Sequence, residues 1–290
     1  MAEIQKLVDA YRKGDLSRRH FMRQVIMVAG GVTAALPHLH SLGITDAEAA
    51  QVDPNDPTLE SKTVQFPGKA GTVWAYQSRP KAAGSYPAII CIHDNRGVST
   101  YIEDVARRFA REGYVALAVD YLSRHGGTAK VAGASKELPN IGDLAPRVVF
   151  KEETESAVEY LKNLHGVTAD RLGIMGFCMG GSMAFYVSTQ IRGFKAINTF
   201  YGSTPQPLDL LREIDAPVLA HYGAEDPRVT GRVPETEEAM KRFGKSYTYK
   251  IYPKAQHAFH SDDRPDRYHP EAAREAWERT IAFFNQHLKT

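Results

Sequence analysis

Leu172-Gly-Ile-Met-Gly-Phe-Cys178-Met-Gly-Gly181-Ser-Met-Ala-Phe-Tyr-Val187 is the segment from which the rest of this 290-residue chain is best read. Its first four residues are short, apolar and unbroken, the pattern of a strand covered on both faces. Its last five are apolar and open a helix. Between them sits a single cysteine with glycine two places before it and two places after it. A turn this abrupt forces its central residue into a strained backbone, and side chains at the flanking positions would collide with it. The sulfur is thereby lifted above the edge of the sheet. It also stands at a helix N-terminus, whose partial positive charge favours thiolate over thiol.

Working outward, short apolar runs alternate with amphipathic segments. Lys62–Phe66 and Thr72–Ser78 flank a Pro-Gly-Lys-Ala-Gly turn and read as a hairpin. Pro87–His93, Tyr114–Val119, Arg171–Gly176, Phe194–Tyr201, Pro217–Gly223 and Ser246–Tyr252 read as buried strands. Ile102, Val105, Ala106, Phe109 and Ala110 fall at helical spacing ahead of Gly113, and Ala273, Trp277, Ile281 and Phe284 do so near the end. Such alternation requires right-handed crossovers. The expected fold class is α/β: one domain over residues 60–290, a mostly parallel sheet with helices on both faces. Two polar stretches, Ser123–Pro146 and Ser203–Asp215, are long enough to be covers over a site.

The candidate partners of Cys178 follow it in the chain. Gly223-Ala-Glu-Asp226 leaves one strand, offering Asp226 with Glu225 as its alternative. His257 leaves the last strand, with His260 close by. Nucleophile, acid and histidine in that order, after a Gly-x-nucleophile-x-Gly turn, is the arrangement of the α/β-hydrolase fold. In it the histidine takes the nucleophile's proton and later protonates the leaving group, while the carboxylate holds the imidazole's tautomer. The oxyanion donors are expected to be the backbone N–H groups of Met179 and of Asn95, in the His93-Asp-Asn-Arg-Gly97 loop. Asp94, Arg96 and Tyr201 point toward the same cleft as candidate contacts to thiol or substrate. Cys91, inside an apolar run, reads as core.

Residues 60–288 closely resemble the dienelactone hydrolase family. The resemblance rests on Gly176-Phe-Cys-Met-Gly-Gly181, Gly223-Ala-Glu-Asp226, His257-Ala-Phe259 and the His93–Gly97 loop ahead of Tyr101-Ile-Glu-Asp-Val-Ala-Arg-Arg108. It implies hydrolysis of an ester or lactone through a thioester on Cys178. The family carries a glutamate at the place of Asp94 that meets the resting thiol. It also holds a substrate carboxylate with arginines, one of them four residues after the histidine. Here these positions are Asp94, one methylene shorter, and Ser261. Arg124, Arg147 and Arg264 are the candidates to compensate.

The formal charge of +2 gives no electrostatic ground for nucleic acid as a partner. No run of about 18 apolar residues suggests a membrane span, and no cofactor or metal is expected. Residues 1–50 resemble a twin-arginine export signal. Ser17-Arg-Arg-His-Phe-Met-Arg23 precedes a weakly apolar run from Val25 to Leu36 and a small-residue stretch, Asp46-Ala-Glu-Ala-Ala50. The export machinery is then a partner of the precursor and the destination periplasmic or secreted. The alternative is a retained N-terminal helix on a cytoplasmic protein. Gln51 to residue 59 reads as a linker. Two competing functions stand beside the hydrolase: a non-catalytic binding protein on this fold, and a redox protein using Cys91 with Cys178.

Overall fold

The computed structural model describes residues 2–12, 21, 24–25, 27–28, 51–134, 141–264 and 266–290. Eight strands form one sheet in the order β1-β2-β4-β3-β5-β6-β7-β8. They are β1 (Leu59–Gly68), β2 (Gly71–Pro80), β3 (Tyr86–Ile92), β4 (Val115–Asp120), β5 (Val167–Phe177), β6 (Phe194–Phe200), β7 (Val218–Gly223) and β8 (Tyr247–Tyr252). β1 and β2 are the expected hairpin, antiparallel to each other, and β2 is antiparallel to β4. Every other neighbour is parallel. The expected α/β class and mostly parallel sheet hold.

The longer helices are α1 (Ala2–Arg12), α2 (Thr100–Arg111), α3 (Arg147–Asn163), α4 (Met179–Val187), α5 (Val233–Arg242) and α6 (Pro270–Leu288). The period-2 alternation of side chains along the strands sorts the core into two layers. Ile90, Ile92, Leu117 and Ile174 pack with Phe150, Leu161, Phe185 and Met240, from α3, α4 and α5. Ile89, Cys91, Ala116 and Met175 pack on the other face with Val105, Phe109, Phe284 and Leu288, from α2 and α6. Strands covered on both sides read as continuous apolar runs for this reason. Cys91 lies in the second layer, and its thiol is pushed well above its usual range by burial.

The segment expected to be a linker is fastened instead. The backbone N–H groups of Gln51 and Val52 donate to the buried Asp104 carboxylate on α2 at 3.0 and 2.8 Å. Arg107 donates to the Val52 carbonyl, and Arg111 binds Asp56. The polar composition of this stretch marks turns, but α2 supplies side chains that satisfy its backbone. Within the expected export segment, Ile4, Val8, Phe21 and Val25 are buried and Tyr11 stacks on Phe21 at 4.6 Å. The arginine pair and the Ala47–Ala50 stretch lie outside the described residues. The Ser123–Pro146 stretch holds short helices at Ser123–His125, Thr128–Ala134 and Ile141–Leu144. No described helix is long and apolar enough to cross a membrane.

Candidate active site

β5 and α4 meet at Cys178, whose backbone sits at φ 57°, ψ −116°. Two glycines make that possible. A Cβ on Gly176 would lie 2.1 Å from the Gly180 carbonyl oxygen, and one on Gly180 would lie 2.3 Å from the His93 carbonyl oxygen. Neither contact can relax, because backbone blocks both. The Cys178 N–H donates to the Phe200 carbonyl at 3.0 Å, which fixes the turn to β6.

β7 and β8 deliver the partners. Asp226 closes a turn after β7, with its N–H on the Gly223 carbonyl, and its side chain is buried. The neighbouring Glu225 is exposed. Its N–H donates to the Ala255 carbonyl at 2.9 Å, knitting this turn to the loop beyond β8. His257 stands on that loop. Its Nδ1 lies 2.5 Å from Asp226 Oδ2 and its Nε2 lies 3.0 Å from Cys178 Sγ. Burial opposes a charge on His257, but the hydrogen bonds to Asp226 and Cys178 and their negative charge outweigh it and push its pKa up to about 9. His260 goes elsewhere. It is buried among Phe177, Phe200 and Trp277, with Nδ1 at 2.7 Å from the Tyr101 hydroxyl, and burial pushes its pKa well down.

A cavity of about 140 Å³ opens on this group, lined by Cys178, Met179, Ser182, Tyr201, Ser203, Arg228 and His257. Met179 is the first residue of α4, so its N–H has no acceptor within the helix. In the β3 loop, the Gly97 and Arg96 N–H groups both turn back onto Asp94. The Asn95 N–H has no acceptor among the described residues. Tyr201 is in the cavity wall, its ring 5.1 Å from that of His257 and its buried hydroxyl without a hydrogen-bond partner among the described residues. Burial is the main reason its pKa is pushed up, and the charges of Asp94 and Cys178 add to that.

Asp94 and Arg96 are near the site but hold each other. Arg96 donates through Nε and Nη2 to Asp94 and through Nη1 to Asp263. No hydrogen bond joins either to the thiol, whose partner is His257. The three arginines considered for compensation are also placed elsewhere. Arg124 is taken by Glu152 and Glu153, Arg147 lies over the Tyr186 ring, and none of the three lines the cavity. The cation in the wall is Arg228, two residues past Asp226, with no carboxylate partner among the described residues. Its sequence position beside the acid was the available signal. Among the described residues the Ser123–Pro146 stretch contributes nothing to the lining; Ser203 of the other polar stretch does, its N–H held by Ser182 Oγ at 2.8 Å. Both cysteines are free, and no described group of three or more His, Cys, Asp and Glu side chains is arranged to hold a metal.

The sheet order, the cysteine turn and the cavity at the strand ends define an α/β-hydrolase. Residues 73–288 match the dienelactone hydrolase family, and the chain belongs to that family. It is 37% identical to a Bradyrhizobium protein named "Probable 2-oxo-3-(5-oxofuran-2-ylidene)propanoate lactonase", over 74% of this chain and 89% of that one. A crystal structure from Klebsiella pneumoniae, provisionally termed a dienelactone hydrolase, superposes with a TM-score of 0.72 at 29% identity, covering 79% of this chain and 99% of that one. A dienelactone hydrolase structure from Anabaena variabilis gives a TM-score of 0.63 at 16% identity, covering 80% and 99%, a likeness of fold alone. The chain is a dienelactone hydrolase-like hydrolase.

Proposed function

We propose that the chain hydrolyses a carboxylic ester or lactone through Cys178, His257 and Asp226. The observation that carries this is the continuous line of contacts, Sγ to Nε2 at 3.0 Å and Nδ1 to Oδ2 at 2.5 Å. His257 Nε2 takes the thiol proton as sulfur attacks the carbonyl carbon. The resulting oxyanion is met by the N–H groups of Met179 and Asn95. The C–O bond breaks, the leaving oxygen takes the proton from His257, and a thioester remains. Water, deprotonated by His257, then cleaves the thioester, releasing the acid and restoring the thiol. Asp226 keeps the Nδ1 proton in place throughout.

Arg228 supports a substrate carrying a carboxylate, as the name of the Bradyrhizobium relative describes for its own substrate. A guanidinium in the wall can grip a carboxylate through two parallel hydrogen bonds. The test is turnover of p-nitrophenyl acetate and of a carboxylate-bearing lactone by wild type, Cys178→Ala and Arg228→Gln. Cys178→Ala should lose both activities and the acyl adduct seen by intact mass. Arg228→Gln should lose about tenfold on the anionic lactone and little on the neutral ester. Ester turnover persisting in Cys178→Ala would end this reading. We also propose export through the twin-arginine route, supported by the Ser17–Arg23 pattern. Cell fractionation with N-terminal sequencing tests it, and a cytoplasmic protein with an intact N-terminus would refute it.

A further inference from the structure

The oxyanion donors of an ester hydrolase have to be aimed before the charge forms, and a backbone N–H has no side chain of its own to aim it. β3 runs parallel to β5 with Ile92 beside Gly176, so the third residue on from each, Asn95 and Met179, reaches the same edge of the sheet. Gly180 packs against the Ile92 and His93 carbonyls, which closes the two turns on each other. The first residue past β3, His93, is fully buried and stands outside the Cys178–His257–Asp226 line. Both its ring nitrogens are engaged. Nε2 lies 3.3 Å from the Tyr121 backbone nitrogen, just past β4, and Nδ1 lies 2.7 Å from the Asp94 carbonyl oxygen. A backbone N–H can only donate, so Nε2 accepts, and the proton of the neutral ring is on Nδ1. Burial favours that neutral form and holds the His93 pKa below its ordinary value. Nδ1 therefore donates to the Asp94 carbonyl, and the Gly97 N–H donates to the same oxygen at 3.3 Å.

The Asp94 carbonyl and the Asn95 N–H belong to one trans peptide plane and point in opposite directions. Pinning the oxygen therefore aims the hydrogen, and the Asn95 N–H is the end of that plane without an acceptor among the described residues. We propose that His93 is a positioning residue whose Nδ1–H clamps the Asp94–Asn95 peptide so that the Asn95 N–H is presented to the carbonyl oxygen of the substrate. This rests on the Cys178 ester-hydrolase reading above and deepens it by naming the side chain that sets the second oxyanion donor. When sulfur adds to the carbonyl, the S–C bond forms and the C=O π pair moves onto oxygen. The N–H has to face that oxygen already, because a peptide plane free to turn would reorient only at a cost in the transition state. Tyr121 completes the clamp. Its backbone N–H fixes the tautomer of the imidazole, and its own ring meets that of His93 edge-on at 5.5 Å.

The test sets two reactions of Cys178 against each other in the full-length chain. Turnover of p-nitrophenyl acetate builds an oxyanion both in forming and in cleaving the thioester. Alkylation by iodoacetamide forms an S–C bond as iodide leaves, and no oxyanion appears. His93→Gln carries an amide near the place of Nε2 and no donor at that of Nδ1. It should lower kcat about thirtyfold with KM and the alkylation rate both within about twofold of wild type. His93→Asn puts an N–H near the place of Nδ1 and should keep kcat within about fivefold. Ester turnover and alkylation falling together in His93→Gln overturn the proposal, since that is the mark of a merely structural histidine. So does a kcat unmoved by His93→Gln, or a His93→Asn as slow as His93→Gln. If the variants do not fold, nitrogen-15 spectra of the wild-type imidazoles decide. The buried His93 ring must carry its proton on Nδ1, and a proton on Nε2 overturns the clamp. The underlying reading fails separately, by ester turnover in Cys178→Ala.

Discussion

Cys178 and His257 face each other across 3.0 Å, yet they are held in opposite ways. Cys178 is held by backbone. Gly176, Gly180 and the Phe200 carbonyl leave one conformation for the turn, and most of what matters lies within five consecutive residues. His257 is held by side chains from far away. Its loop carries positive φ at Lys254 and Ala258, and three further residues tether it: His260 to Tyr101, Asp262 to Arg108, and Asp263 to Arg96. One half of the site is thus a steric device and the other an electrostatic one. Mutations should therefore fail abruptly on the cysteine side and by degrees on the histidine side.

The largest expected effect on fold and activity together comes from Gly176→Ala. The new methyl would sit against the Gly180 backbone with no side chain to yield. It should cost about 3 kcal/mol or more in stability and over a hundredfold in turnover. Thermal unfolding and ester kinetics check both. A folded, active Gly176→Ala would break the contrast at its root.

Next is Asp226→Asn, expected to lower kcat/KM by about three orders of magnitude by misdirecting the imidazole tautomer. The pair also leaves a pH signature. His257 is raised to about 9 from an ordinary value near 6.5, so its charged form stabilises the fold below 6.5 and that contribution fades as pH rises toward 9. Denaturant titrations should show wild type exceeding Asp226→Asn by roughly 2 kcal/mol at pH 6, a gap that narrows by pH 9.5. A gap that widens with pH would contradict the sign.

The same division explains what could be read from sequence. The strand runs and the elbow are local patterns, set by burial period and by glycine spacing, and Cys178, Asp226 and His257 follow from their places after strands. The fastening of Gln51 to Asp104 joins residues 53 positions apart. The Arg96–Asp263 contact spans 167. Neither has a periodicity to betray it. Arg228 escaped for another reason. Arg228 is exposed, as an arginine on a turn usually is, and only its place in the lining of the cavity that Cys178 and His257 share singles it out.

A middle-sized effect is expected at the tethers. Asp262 accepts from Arg108 at 2.5 Å and from Gln51 Nε2 at 2.7 Å. Arg108 keeps Asp104, so Asp262→Asn does not strand a buried charge. It should cost about 1 kcal/mol and reduce turnover a few-fold, with the loss in kcat because His257 lies on the same loop. An unchanged kcat with the same loss of stability would show that this tether serves the fold alone.

The smallest effect sharpens the contrast most. Glu225 and Asp226 are adjacent acids on one turn, and composition alone does not separate them. Glu225 contributes its backbone N–H to the Ala255 carbonyl, while its side chain is exposed. Glu225→Gln keeps that N–H and should leave kcat/KM within about twofold and stability within about 0.5 kcal/mol. Placing Glu225→Asp beside Asp226→Ala should rescue nothing, because a carboxylate one residue earlier leaves the turn on the solvent side, away from His257 Nδ1. Measurable rescue would mean that the turn can rotate and that the acid is held by degrees, like the histidine loop, rather than by a fixed backbone, like the cysteine.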